Sequence, residues 1–128
     1  MILTYPLGRR LRRRFGPVSS CAILQWIHAG KLRQIVTDLA EPGTFTEHEN
    51  LFQEADLVFV DAAKDGKFER RLLERLDKLT FTKPPLFAFD DIRLWNMLSI
   101  WRDLRWPKLD LTSFGHWCGT GICEPIQN

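Results

Sequence analysis

Apolar positions along this chain change period from one segment to the next. After Gly16 and Pro17, Ser19 or Ser20 precedes Ala22, Ile23, Trp26 and Ile27 at helical spacing, and Gly30 stands where a helix would end. Leu32 to Thr37 predicts a strand. The run ADLVFVD, residues 55–61, is short, apolar and rich in Val and Phe, which predicts a parallel strand buried on both faces between helices. In KFERRLLERLDKL, residues 67–79, Phe68, Leu72, Leu76 and Leu79 share one stripe. Arg70 with Glu74, or Glu74 with Lys78, forms i,i+4 pairs on the other, so this is a surface helix. Pro84 and Pro85 introduce a second buried strand, PLFAFDD, residues 85–91, ending in two carboxylates. IRLWNMLSIWRDLRW, residues 92–106, repeats Leu94, Leu98, Trp101 and Leu104 or Arg105 at helical spacing, and Pro107 stops it. LDLTSF and GTGICE, separated by Gly115, His116, Trp117 and Cys118, predict a closing hairpin. The alternation predicts an α/β fold, a mainly parallel sheet with an antiparallel C-terminal edge.

Composition narrows this picture. With 128 residues, 45% hydrophobic and 27% charged, the chain is one ordinary globular domain, and roughly 30 residues per strand–helix–strand unit allows only three or four such units. No run of 18 or more apolar residues exists, and the arginines near the start follow the short apolar piece, the reverse of a secretory signal. Cys21, Cys118 and Cys123 are too few, and odd in number, for a disulfide framework. Together these predict a cytoplasmic protein. The net charge of +2 conceals an asymmetry: +7 over residues 1–37, −5 over 38–79 and 0 beyond. Most of the positive excess is the run Arg9, Arg10, Arg12, Arg13 and Arg14, which predicts a basic leader, residues 1–18, ahead of a domain over 19–128. Such a run can neutralise phosphates, but no nucleic-acid motif accompanies it, so a solvated leader is the plainer reading.

In open α/β sheets, ligands bind beyond the carboxyl ends of the parallel strands. Those ends are acidic here: Asp38 after the first strand, Asp61 ending the second, Asp90 and Asp91 ending the third. Converging carboxylates suit a hard divalent cation and leave positions for water or substrate oxygens. Lys64, three residues after Asp61, is placed to act as general base on a substrate hydroxyl. The plainer alternative is that strand-end Asp residues cap the following helices, a role that suits Asp65 and Asp91. His116, Cys118 and Cys123 make a weaker zinc candidate, because a fourth ligand is wanting nearby. The five tryptophans read as core or interface material, with Trp95 the exception at the presumed mouth of the site.

The segments DLVFVDAAKDGKFERRLLERL and PLFAFDDIRLW resemble strands four and five, with the intervening helix, of class I S-adenosylmethionine-dependent methyltransferases. The similarity is greatest to the metal-dependent O-methyltransferases of the catechol and caffeoyl type, which carry an FVDADK-like strand end and then a DN pair before an LW-like segment. By that resemblance Asp61, Asp90 and Asp91 are ligands of Mg2+ or another divalent cation, Lys64 is the catalytic base, and Asp38 and Asp61 are contacts of the S-adenosylmethionine cofactor. Asp91 departs from the family's Asn and adds a negative charge. PKLDLTSFGHWCGTGICE resembles the last two strands of the class I sheet, although not the ending of the catechol type.

A Gly-rich cofactor turn after a first strand is not recognisable. Gly119 and Gly121 lie too near the end to open a helix, and no β-rich run precedes Gly8 or Gly16. The resemblance therefore implies an incomplete, Rossmann-like methyltransferase fold lacking its first strand, first helix and second strand. An edge left open in this way predicts self-association or pairing with another chain. Two functions follow as expectations. One is O-methylation of a small hydroxylated acceptor; the other is a noncatalytic interaction protein that retains the fold.

Overall fold

The computed structural model describes residues 37–115 and 117–127, together with the backbone of residues 2–5. The expected helix around Ala22 to Ile27, the strand from Leu32, the arginine run, Cys21 and His116 lie outside the described residues.

The fold is mixed α/β. Its elements are β1 (Ile2–Tyr5), α1 (Pro42–Gln53), β2 (Leu57–Val60), α2 (Lys67–Leu76), β3 (Leu86–Asp90), α3 (Met97–Asp103), β4 (Lys108–Asp110), a 3-10 turn (Thr112–Phe114) and β5 (Thr120–Cys123). The five strands run in the order β1-β2-β3-β5-β4. Only β2 and β3 pair in parallel; the β1–β2, β3–β5 and β5–β4 pairings are antiparallel. The expectation of a mainly parallel sheet is thus corrected to a single parallel pair among the described strands. The expected C-terminal hairpin is present, with β5 seated inside the sheet and β4 at its edge. The first residues are not simply a leader either, because β1 pairs with β2 along the edge that the sequence had left open. A β-strand therefore does precede Gly8, and the edges of the described sheet are those of β1 and β4.

Side-chain alternation decides which sheet face is covered. Register places Val58 beside Phe87 and Phe87 beside Cys123, with Val60, Phe89 and Gly121 forming the next row. These residues are buried, whereas Leu57, Phe59, Ala88 and Ile122 are half-buried and Leu86 is exposed. The strands expected to be buried on both faces are thus fully buried on one. Onto that face pack Leu72 and Leu76 from α2, Met97, Ile100 and Trp101 from α3, and Phe45 and Phe52 from α1. Trp106 tilts against Phe87 with centroids 5.4 Å apart, and its indole N–H donates to Asp77 at 2.7 Å. That bond satisfies the one polar atom of a buried indole.

Local chemistry sets the helix ends. The Asp65 carboxylate accepts from the N–H groups of Lys67 (2.8 Å) and Phe68 (3.1 Å), so the expected capping role at α2 is real. The helix expected from residue 92 begins only at Met97. Before it, Trp95 takes a left-handed φ of +45°, which interrupts an α-helix, while the N–H groups of Ile92 and Arg93 bond the carbonyls of Gly119 and Cys118. At the other end Lys108 donates to the carbonyls of Trp101, Arg102 and Leu104, closing a helix that Pro107 prevents from continuing.

Candidate functional site

Parallel pairing of β2 and β3 brings their carboxyl ends together. Val60 is in register with Phe89, so Asp61 and Asp90 emerge side by side, with Asp91 the next residue along. One carboxylate oxygen from each of Asp61, Asp90 and Asp91 lies within 4.8 Å of the others. The sequence-predicted ligand set is therefore assembled as a cluster at the strand ends.

Lys64 lies among these acids and is only 6% exposed. Its Nζ donates to Asp61 Oδ1 at 3.0 Å and to the Asp90 carbonyl at 3.2 Å, and it lies 3.6 Å from Asp91 Oδ2. Removing an ammonium from water is costly unless charge and hydrogen bonds replace the lost hydration, and here both are supplied. The reach is obtained by an unusual backbone: Lys64 has φ +61°. Asp91 (φ +56°) and Trp95 (φ +45°) are also left-handed, so three of the residues around the cluster occupy a conformation disfavoured for side chains with a Cβ.

Two neighbours were not foreseen as parts of this site. Glu69 is buried, and its carboxylate accepts from the N–H groups of Lys64 (2.7 Å) and Gly66 (3.2 Å). The signal that could have found it is a Glu three residues after a helix-capping position, the acidic half of a capping box. Cys118 is the second. Partial burial pushes its thiol pKa up, as do the charge of Asp91, a hydrogen bond with Asp91 and the charge of Asp90. Cys118 is thus a thiol leaning on the acidic cluster. Cys123 faces the core five residues further along, at the end of β5 and beside Phe87, where burial pushes its pKa up to about 12. The length of β5 separates it from Cys118, which precedes the strand, so the described structure does not bring the two thiols of the zinc reading together.

Asp38 is elsewhere. Its carboxylate accepts from the Ala40 N–H at 2.9 Å and lies 3.5 Å from Arg71, which also pairs with Glu41 at 2.7 Å. Asp38, expected as a cofactor contact, is thus a loop carboxylate engaged with α2 and is not part of the acidic cluster. A shallow groove of about 700 Å3 separates the start of α2 from α3 and is lined by Lys67, Arg70, Arg71, Asn96 and Ser99. It borders the loop that carries Lys64, yet none of the three clustered acids lines it. Trp95 (74% exposed), Phe114 (88%) and Trp117 (79%) stand in solvent on segments near the Cys118 turn.

What the arrangement can do chemically is limited by its donor set. Three carboxylates offer hard oxygens that suit Mg2+, Mn2+ or Ca2+. The buried Lys64 ammonium beside them offsets part of their charge. No family model, no curated protein and no solved structure matches this chain.

Proposed function

We propose that Asp61, Lys64, Asp90 and Asp91 form the catalytic centre of an S-adenosylmethionine-dependent O-methyltransferase, with a divalent cation held by the three carboxylates and Lys64 as general base. The observation that carries this reading is the burial of Lys64 between Asp61 and Asp91 at the ends of two parallel strands. Spacing alone allowed the four residues to disperse as helix caps, and instead they converge. The antiparallel closure by β5 and β4 supports the same reading, since residues 107–124 resemble the last two strands of the class I sheet.

Such a cation would lower the pKa of an acceptor hydroxyl and offset the developing oxyanion, while S-adenosylmethionine supplies the methyl group. The remaining tasks belong to the chain. Asp61, Asp90 and Asp91 fix the acceptor oxygen by fixing what it binds, so attack is aligned. A cation on the carboxylates would replace the Lys64 ammonium as their counter-charge, and Lys64, once deprotonated, would take the hydroxyl proton at Nζ. Asp61 and Asp90 leave the adjacent ends of the paired strands β2 and β3, and chemistry of this kind tolerates misplacement of only about an ångström.

The cofactor half of the reading assigns Asp61 and Asp38 as contacts, with the Asp38 carboxylate also paired with Arg71. A second reading, a noncatalytic interaction protein, draws on the exposed Trp95, Phe114 and Trp117. Calorimetric titration with S-adenosylhomocysteine, with and without Mg2+, separates the two. Binding that strengthens with Mg2+ is the expected result, and absence of heat at millimolar ligand refutes catalysis by this chain.

A further inference from the structure

We propose that Glu69 is a positioning residue that locks Lys64 into the left-handed conformation from which its ammonium reaches the carboxylates. This deepens the reading of Lys64 as the base and rests on it. Glu69 is 1% exposed, and a carboxylate so buried must be repaid by strong hydrogen bonds. An ordinary helix-capping Glu would serve the N-cap N–H alone. Glu69 does that at Gly66 with Oε2, but its shorter bond, 2.7 Å from Oε1, goes two residues further back to Lys64. The N–H groups of Lys67 and Phe68 are already taken by Asp65. The Glu69 carboxylate is therefore free to clasp the loop rather than the helix.

What it clasps is strained. Lys64 at φ +61° is a non-glycine residue in the left-handed region, a state that persists only where surrounding bonds over-determine it. The loop is pinned on its other side as well. Asn96 donates to the Asp65 carbonyl at 3.0 Å, and a Cβ at Gly66 would fall 2.8 Å from that of Asn96. With Glu69 removed, the cheapest relaxation is a return of Lys64 to negative φ. That swings Nζ away from Asp61 and Asp91.

The test measures Lys64 directly. The full chain is treated with trace acetic anhydride at one fixed pH, and the acylation rate of each lysine is read by mass spectrometry. Wild-type Lys64 should react more slowly than the exposed Lys67, Lys78 and Lys83. In Glu69→Ala its rate should rise about fivefold or more while those lysines keep theirs, and Glu69→Gln, which retains one accepting oxygen, should fall between. If Glu69→Ala does not fold, the isosteric Glu69→Gln carries the comparison with wild type. An unchanged Lys64 rate in a folded variant overturns the proposal, and so does a parallel rise at every lysine, which marks a structural role only. Acylation needs neither cofactor nor cation, so failure of the methyltransferase reading would show in calorimetry and leave this result intact.

Discussion

At Lys64 the backbone and the side chain are set by different partners. The side chain is held by acids at two strand ends, and the main chain by Glu69 on the following helix. The strand-end acids and Lys64 were legible because strand ends are where α/β sheets place ligands, and because Lys64 follows Asp61 so closely. Glu69 was not, since a Glu on an Arg-rich helix reads as part of a solvated face, and only the fold shows it turned inward. Charge at single residues also sets acid stability. Asp110 accepts from the Thr112 hydroxyl and N–H and from Arg93, which hold its carboxyl at about 2 against an ordinary 3.8. A depressed native pKa contributes stability above the ordinary value, and that contribution is lost as pH falls through the native one. Asp110→Asn should therefore melt below wild type at neutral pH, with the gap closing between 3.8 and about 2. A gap of constant size in thermal melts across that window would contradict the assignment.

Among the elements, β2, β3 and α2 were readable because their patterns are strong and their burial follows pattern. The strand expected at 55–61 spans Leu57–Val60, that at 85–91 spans Leu86–Asp90, and the helix expected at 67–79 spans Lys67–Leu76. Elements decided by tertiary bonds were less readable. In α1, PGTFTEHENLFQ, Phe45 and Phe52 are the only fully buried residues of an otherwise polar helix. The shortened start of α3 follows the left-handed backbone at Trp95, which no periodicity of apolar residues announces. β1 is four residues beside a basic run, and nothing local marks it as the partner of β2. The seating of α3 depends on Gly121: a Cβ there would lie 2.4 Å from the Trp101 ring, which rests on the β5 backbone. Gly121→Ala should therefore lower unfolding free energy by about 1–3 kcal/mol, the usual cost of overpacking a tight core. Urea denaturation checks this, and the loss should shrink in a Trp101→Phe background. A change under about 0.5 kcal/mol would mean that Trp101 moves aside freely.

For the molecule as a whole, the acidic cluster cuts across the charge asymmetry along the sequence. Asp61 comes from the acidic middle segment, Asp90 and Asp91 come from the charge-balanced last one, and Lys64 offsets the three without removing their net negative charge. The sheet carries β1 along the outer side of β2, so association through a bare β2 edge loses its basis, and β1 and β4 are the edges that remain. Among the described residues no helix is long and apolar enough to cross a membrane. The exposed aromatics near the Cys118 turn stand on the same pair of connections that follow β3 and precede β5. The carboxylate cluster is either a cation site beside a lysine or an ion pair that serves the fold alone. Titration of the full chain with Mn2+, followed by electron paramagnetic resonance, answers this most directly. Wild type should bind a single Mn2+ that Mg2+ displaces, and Asp61→Asn and Asp90→Asn should each weaken it by about tenfold or more while the chain stays folded. Absence of Mn2+ binding by the wild type, or wild-type affinity retained in both variants, would contradict a cation site at the cluster.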